Sequence, residues 1–128
     1  MQQEFTEITA VLERYCDGLY RCDTAILQTT FHPQAQYFTA TEGELLHLDM
    51  AAYFPIVEER TSPESRGEPY QFAIDSIELA GPVTAFARLH CTMLARRYID
   101  LLTLVQIGGE WRIIAKVFHF DPVVPAQA

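Results

Sequence analysis

The chain has 128 residues, of which 49% are hydrophobic and 20% are charged, and its formal net charge is −8. A chain of this length most readily folds as one domain with a real core, here taken as residues 1–128. The acidic balance argues against partnership with nucleic acid or an anionic membrane, and no apolar run approaches the ~20 residues of a membrane span. Because the first residues lack the basic and apolar regions of a signal peptide, we expect a cytoplasmic protein.

The cysteines and histidines are too scattered in the sequence to indicate a metal site. Cys16, Cys22 and Cys91 lack the close spacing of zinc ligands, and free thiols are the ordinary state of cytoplasmic cysteines. We find no glycine-rich phosphate loop and no nucleophile elbow. We therefore expect neither a metal nor a cofactor.

Helical patterns dominate the first part of the chain. An apolar stripe with steps of three and four residues, which includes Tyr15, predicts an amphipathic helix over residues 3–21. Asp23 is suited to cap a second, short helix that carries Phe31 and ends at residues 32–33, before the proline. Asp49 is suited to cap a third helix, which Pro55 should kink or shorten.

Strand patterns dominate the rest of the chain. Two short strands are predicted at residues 36–39 and 45–48, and longer ones at 70–79 and 83–94. A glycine pair then divides residues 96–120 into a hairpin. The loop at residues 61–69 is the one place where a mobile lid could lie. The order is two helices, two strands, a helix and four strands, an α+β layout with helices on one side of a sheet.

Two charges, Asp100 and Lys116, lie inside the apolar runs of this hairpin, where an unpaired charge is costly. A three-residue loop with a bulge would pair Asp100 with Lys116 and Leu102 with Ile114. A strict two-residue turn would instead pair Asp100 with Val117 and break the contact. We favour the bulged register because it gives both charges a partner.

Five segments carry a resemblance to a known superfamily: YCDGLY (15–20), FHPQA (31–35), RGEP (66–69), YIDLL (98–102) and WRIIAKVFH (111–119). They resemble the nuclear-transport-factor-2-like (NTF2-like) superfamily, and within it the SnoaL-like and lumazine-binding-like proteins. The resemblance implies a cone: a curved mixed or antiparallel sheet of about six strands wrapped around an N-terminal helix pair and a third helix. It also implies an internal pocket and a homodimer through the outer sheet face.

The same resemblance suggests which side chains face the pocket. One face of the hairpin carries Tyr98, Asp100, Leu102, Leu104, Ile114, Lys116, Phe118 and Phe120. The preceding strand presents either an apolar set, with Leu89 and Cys91, or a mixed set, with Arg88 and His90. A positional match to ketosteroid isomerases implies that the mixed set faces inward. The expected ligand-binding residues are then Tyr15, Tyr37, Arg88, His90, Asp100, Lys116 and Phe118.

Three functions follow from this arrangement. The leading hypothesis is a protein that binds a small, partly apolar organic molecule, because a few polar groups in an aromatic concavity are typical of such sites. The second is a small isomerase, cyclase, dehydratase or hydrolase, with Asp100 or His90 as general base and Tyr15 as proton donor. The third is a structural domain whose own side chains fill the pocket, with Asp100 and Lys116 as a structural ion pair.

Two specific enzyme chemistries of the superfamily fit poorly. In the ketosteroid isomerase pattern the general base falls near Thr39, which cannot abstract a proton from carbon, and the acid falls near Leu102 or Thr103. Epoxide hydrolysis of the superfamily's type needs an Asp-Arg-Asp set. Asp100 and Arg88 could imitate part of it, and Asp75 is only a weak candidate for the second aspartate.

Overall fold

The computed structural model describes residues 2–123, which form three helices and six strands. The elements are α1 (Gln2–Arg21), α2 (Thr24–Gln28), β1 (Phe31–Thr39), β2 (Leu46–Asp49), α3 (Met50–Glu59), β3 (Phe72–Leu79), β4 (Thr84–Met93), β5 (Arg96–Ile107) and β6 (Glu110–Pro122). The predicted α+β class and order of elements are confirmed.

The six strands form one curved, open sheet in the order β2-β1-β6-β5-β4-β3. Strands β1 and β6 run parallel, and every other neighbouring pair is antiparallel, so the sheet is mixed. The helices cover its concave side, where one cluster of buried apolar side chains forms the core. Within residues 2–123, none of the helices combines the length and the apolar character needed to cross a bilayer.

The long helix α1 owes its position to the stripe that predicted it. Ile8, Leu12, Tyr15 and Leu19 are each at most 2% exposed and face the sheet. Gly18 of α1 lies directly against Leu27 of α2. A Cβ atom at position 18 would come within 2.7 Å of the Leu27 side chain. The missing side chain therefore allows the two helices to pack closely.

Both predicted helix caps are present. The Asp23 carboxylate accepts a hydrogen bond from the Ile26 amide at 3.2 Å, and the Asp49 carboxylate accepts one from the Ala52 amide at 2.9 Å. Each satisfies a backbone donor that has no partner inside its own helix. Helix α3 continues through Pro55 to a length of ten residues.

Helix α2 ends earlier than predicted. Its last residue is Gln28, and Phe31 already belongs to β1, where it pairs with Ile113 of β6. The side chain of Phe31 is 2% exposed, so burial in the sheet outweighs the local helical pattern. Pro33 is tolerated because the pairing of β1 is irregular between Phe31 and Gln36, where no ladder hydrogen bond requires its nitrogen.

Neither of the two predicted registers describes the whole hairpin. Gly108 and Gly109 form a two-residue turn with φ of 59° and 80°, which pairs Ile107 with Glu110. Between Thr103 and Leu104 the register then shifts by one residue, so that Asp100 pairs with Phe118 and Leu102 with Lys116. The favoured pairing of Asp100 with Lys116 is therefore wrong.

An extra residue at Ile114 produces this shift and reverses which side chains of β6 face the core. Before it, Trp111 and Ile113 are buried; after it, Lys116 and Phe118 are buried. Ile114 itself is only half-buried, so its predicted place on the inner face is also wrong. A bulge commonly re-aims side chains in this way.

Strand β4 faces the opposite way from the prediction. Its inward set is the apolar one, Ala85, Ala87, Leu89, Cys91 and Met93, each at most 4% exposed. Arg88 and His90 therefore lie on the outer face of the sheet, where water solvates their polar side chains.

We predict that Ala95→Gly stabilises the protein by about 0.5–1 kcal/mol, because glycine adopts the left-handed region with little steric strain. Leu94 and Ala95 connect β4 to β5 with φ of 52° and 61°, while the Leu94 amide donates to the Glu68 carboxylate at 2.9 Å. The measurement is urea unfolding. The control is Ala10→Gly in the middle of α1, which should lose about 1 kcal/mol; a loss in both variants would contradict the prediction.

Candidate functional site

Asp100 of β5 and Lys116 of β6 form an ion pair inside the protein. Lys116 Nζ lies 3.9 Å from Asp100 Oδ2, and their side chains are only 5% and 4% exposed. Tyr15 of α1 donates a hydrogen bond to the same Asp100 oxygen at 2.5 Å. The expectation that both charges face the interior is confirmed, although the register that motivated it is not.

Aromatic rings surround the Lys116 ammonium. Its Nζ atom lies 5.1–5.6 Å from the centroids of four rings, those of Tyr15, Tyr37, Tyr53 and Phe118. At this range a ring face attracts a cation. Tyr37 and Tyr53 also stack on each other with centroids 4.6 Å apart. We call these four aromatic residues, with Asp100 and Lys116, the inner site.

Burial and charge shift the acid–base behaviour of the inner site. Burial, reinforced by the negative charge of Asp100, raises the pKa of Tyr15 well above its ordinary value of 10.0. Burial alone would lower the pKa of Lys116, but the attraction of Asp100 opposes this, and the pKa is raised above 10.5. Lys116 is therefore an ammonium and Tyr15 a neutral hydroxyl near neutral pH.

Some polar atoms of the inner site have no partner within the described residues. Asp100 Oδ1 and the Tyr53 hydroxyl are both buried and make no hydrogen bond to residues 2–123. Lys116 Nζ approaches Asp100 at 3.9 Å, a distance longer than a hydrogen bond. Because native proteins satisfy most buried polar groups, these atoms mark the inner site as unusual.

The inner site is covered rather than open. The side chains of Lys116 and Asp100 are only 5% and 4% exposed. Neither residue lines any of the four most prominent grooves of the described surface. One groove, of about 570 Å³, lies between α1 and β3, and its lining includes Cys16, Tyr70 and Phe72. Burial and then the charge of Asp100 raise the pKa of Cys16 to about 12. Cys16 directly follows Tyr15, whose hydroxyl bonds to Asp100, so the groove adjoins the part of α1 that contacts the inner site.

Five of the seven predicted ligand-binding residues meet at the inner site. They are Tyr15, Tyr37, Asp100, Lys116 and Phe118. Arg88 and His90 do not join them. Tyr53 of α3 was not among the ligand-binding residues predicted from the sequence. A tyrosine in that position is a weak signal, because its ring is apolar while its hydroxyl is not.

Arg88 and His90 instead form an outer-face cluster with Asp75 of β3. His90 Nδ1 lies 2.7 Å from Asp75 Oδ1, and Arg88 Nε lies 3.8 Å from Asp75 Oδ2. The side chains of Arg88 and His90 are 52% and 57% exposed. The predicted role of Arg88 and His90 beside Asp100 is therefore wrong in its geometry, and Asp75 does not supply a second inward aspartate.

The described residues do not assemble a metal site. Within residues 2–123, no group of three histidine, cysteine, aspartate or glutamate side chains is placed to hold an ion. All three cysteines are free thiols. The polar groups that meet at the inner site are one carboxylate, one ammonium and tyrosine hydroxyls.

Comparisons with known proteins agree with this fold. Residues 3–119 match the family described as “Putative lumazine-binding”. The chain is 26% identical over 121 residues to “Aldolase FrzH” of Cladobotryum sp, with 93% of each chain covered. It is similar to the crystal structure of an NTF2-like protein of unknown function from Shewanella baltica OS155, with a TM-score of 0.83, 26% identity and coverage of 94% and 95%. A second NTF2-like protein of unknown function, from Silicibacter pomeroyi DSS-3, aligns with a TM-score of 0.77 and 24% identity, covering 94% and 98%.

Two matched tyrosine variants should differ in their effect on the free energy of unfolding. Tyr15→Phe removes a hydrogen bond to a buried carboxylate and should destabilise the protein by about 1.5–3 kcal/mol. Tyr53→Phe removes a buried hydroxyl that has no partner in the described chain, so stability should stay unchanged or rise by about 1 kcal/mol. The measurement is the free energy of unfolding in urea. Equal losses in the two variants would contradict the hydrogen bonding described for the inner site.

Stability should fall in alkaline solution. Below about pH 10, Tyr15 and Lys116 are protonated in both the folded and the unfolded chain. Above it, the unfolded chain releases these protons while the folded chain retains them, since both folded pKa values are raised. Each group then lowers the free energy of unfolding by up to about 1.4 kcal/mol per pH unit.

The measurement is urea unfolding between about pH 9 and 11. Tyr15→Phe should reduce the slope of stability against pH, because one of the two groups no longer titrates. An identical slope in the wild type and in Tyr15→Phe would show that the Tyr15 pKa is not raised by folding.

Proposed function

This chain belongs to the family described as “Putative lumazine-binding”, within the NTF2-like superfamily, and we propose that its inner site binds a small organic molecule. Asp100 and Lys116 would hold the polar end of that molecule. Tyr15, Tyr37, Tyr53 and Phe118 would surround its apolar part. The proposal keeps five of the residues expected from the sequence and replaces Arg88 and His90 with Tyr53.

The observation that carries this proposal is a buried ion pair with unused hydrogen-bonding capacity. A buried pair is weak grounds for stability, because removing two charges from water costs about as much as their attraction returns. Asp100 Oδ1 and the Tyr53 hydroxyl add further cost, since neither has a partner in the described chain. A ligand that satisfies these atoms would explain why such residues lie in the core.

The groove between α1 and β3 is the proposed entrance. Its floor includes Cys16, which directly follows Tyr15 in the chain, and Tyr70 is at its rim. Tyr70 is 48% exposed, and its ring packs with its centroid 5.1 Å from that of Tyr20 and 4.9 Å from that of Phe72. Rotation of these rings would open a path toward Asp100.

We predict that mass spectrometry of denatured protein, together with thermal-shift screening of small aromatic compounds, identifies a molecule bound one to one. Ala73→Trp, which fills the groove between α1 and β3, should abolish that binding. Ala10→Trp is the matched control, because Ala10 lines a separate groove near the β5–β6 turn. Loss of binding in the control variant but not in Ala73→Trp would contradict the entrance. A failure to find any bound molecule or stabilising compound would contradict the proposed function.

Acid–base catalysis on a carbonyl compound is the second candidate, favoured by the similarity to “Aldolase FrzH” over 93% of both chains. Asp100 would take a proton from the carbon next to a carbonyl group. Lys116 and Tyr53 would then stabilise the charge that develops on the carbonyl oxygen. The Tyr15 hydroxyl donates a hydrogen bond to Asp100, so Tyr15 would orient the base rather than act as the proton donor to the substrate.

Deuterium exchange at the carbon beside the carbonyl of cyclohexanone tests this candidate by NMR. The wild type should accelerate the exchange. In Asp100→Asn the exchange rate should fall about a hundredfold, and circular dichroism should show that this variant is folded. Exchange at the buffer rate in the wild type would leave binding as the only supported function.

We also propose a homodimer through the outer face of the sheet. Leu101, Val117 and Phe38 are paired neighbours across β5, β6 and β1 and form an apolar row on that face. Val117 is 45% exposed, and Phe86 of β4, 39% exposed, extends the apolar surface. The outer-face cluster of Asp75, Arg88 and His90 supplies charges beside it. An apolar centre with a polar rim is typical of protein interfaces.

Sedimentation at micromolar concentration should give about twice the chain mass of 14.6 kDa. Val117→Glu should yield monomers, because it would bury a charge at the interface. Leu45→Glu adds the same charge at a 68% exposed position between β1 and β2 and should leave the dimer intact. A wild-type protein that sediments as a monomer would refute this assembly.

A further inference from the structure

A groove of about 530 Å³ lies between α1 and the turn that joins β5 to β6, and we call it the turn groove. Its walls combine apolar and charged side chains of the helix and the last strand. They include Glu7, Ala10, Val11 and Arg14 of α1, and Trp111 and Arg112 of β6. No residue of the inner site lines the turn groove, so a ligand bound here would be independent of the proposed function.

Trp111 brings a buried donor without an acceptor to the turn groove. The residue is 3% exposed and lines the groove, and its indole Nε1 has no hydrogen-bond partner among residues 2–123. An indole nitrogen can only donate a hydrogen bond, and a buried one usually has an acceptor. A ligand in the turn groove that carries an acceptor oxygen would complete this bond.

Arg14 brings a positive charge that the described chain does not neutralise. Its side chain makes no ion pair and no hydrogen bond with residues 2–123. The guanidinium of Arg112, by contrast, donates to the Glu110 carboxylate at 2.8 Å and to the Gln28 carbonyl at 3.3 Å. The charges of Arg112 and Glu110 therefore cancel, whereas Arg14 keeps a planar set of donors that fits a carboxylate.

Glu7 limits how much negative charge the turn groove can accept. It precedes Arg14 by seven residues, so the two lie about two turns, or about 10 Å, apart along α1. A carboxylate at Arg14 is therefore remote from Glu7, whereas a second negative charge farther along the groove would be repelled. Ala10, Val11 and the Trp111 ring supply apolar surface for the rest of a ligand.

We propose that the turn groove binds a small organic acid with one carboxylate and an apolar body. The carboxylate accepts hydrogen bonds from the Arg14 guanidinium and from the Trp111 indole N–H. The apolar body lies against Ala10 and Val11. Because the chain has a net charge of −8, it has no general attraction for anions, and binding of an acid would reflect this local arrangement.

Four probes separate the features of the ligand. Benzoate has one carboxylate and a ring, benzamide lacks the charge, terephthalate carries a second carboxylate, and acetate lacks the ring. Trp111 is the only tryptophan of the chain, so its indole N–H gives a single side-chain signal in a nitrogen–proton NMR spectrum. On titration of the full chain, benzoate should move this signal downfield and bind at least about tenfold more tightly than the other three, the factor that corresponds to one hydrogen bond with a charged group.

Two arginine variants test the role of Arg14. Arg14→Gln should weaken benzoate binding about tenfold and leave benzamide binding unchanged, because the charge is removed. Arg97→Gln is the matched control: it removes the same charge from an exposed position at the opposite end of β5 from the turn, and benzoate affinity should not change. Equal weakening in the two variants would mean that overall charge attracts benzoate, and it would overturn the proposal.

Two alanine variants test the place of binding. Ala10→Phe fills the turn groove without adding an indole and should abolish benzoate binding, whereas Ala73→Phe, in the groove between α1 and β3, should leave it intact. The rest of the NMR spectrum shows whether each variant is folded. Equal affinities for benzoate and benzamide, an indole signal that benzoate does not move, or no benzoate binding at all would overturn the proposal. The proposed function would still stand, because it rests on the inner site.

Discussion

An aspartate and a lysine with 3.9 Å between their charged atoms, inside an otherwise apolar interior, constrain most of this molecule. A charge removed from water needs a partner close by, so β5 and β6 must present both residues to the same side. The pair in turn determines what packs on it. Tyr15 from α1, Tyr37 from β1, Tyr53 from α3 and Phe118 from β6 all converge on Lys116.

The bulge at Ile114 is the feature that makes this pairing possible. In a regular strand, the alternation that buries Trp111 and Ile113 would also have buried Ala115 and turned Lys116 to the outer face. One extra residue reverses the alternation, and Lys116 and Phe118 become the buried residues. The strand thus contributes two apolar side chains to one end of the core and a charged one to the centre. One hairpin strand can therefore bury both apolar side chains and a charged one.

Much of the fold could be predicted because the local signals agree with the global structure. The stripe through Tyr15 gave α1, both aspartate caps were correct, and the glycine pair marked the hairpin. The end of α2 was wrong because Phe31 gains more from burial in the sheet than from one further helical turn. The burial of Phe31 depends on tertiary contacts with the sheet, and the local sequence pattern does not show such contacts.

The candidate site was predictable in part for a related reason. Two charges in apolar strands had to face inward together, which singled out Asp100 and Lys116. The orientation of β4 depends on which side of the sheet the helices cover, and the sequence offers two alternating sets that differ only in polarity. The superfamily resemblance favoured the mixed set, whereas burial of Leu89 and Cys91 places Arg88 and His90 outside. Tyr53 was missed because an apolar stripe does not reveal a hydroxyl without a partner.

A double-mutant cycle on the central pair tests this account most directly. Urea unfolding of Asp100→Asn and of Lys116→Met should each show a loss of about 3–5 kcal/mol, because each leaves one charge buried without its partner. The double variant should recover most of that loss, since no uncompensated charge remains. Losses of only a few tenths of a kcal/mol in the single variants would mean that the two charges are solvated, and the inner site described here would not exist.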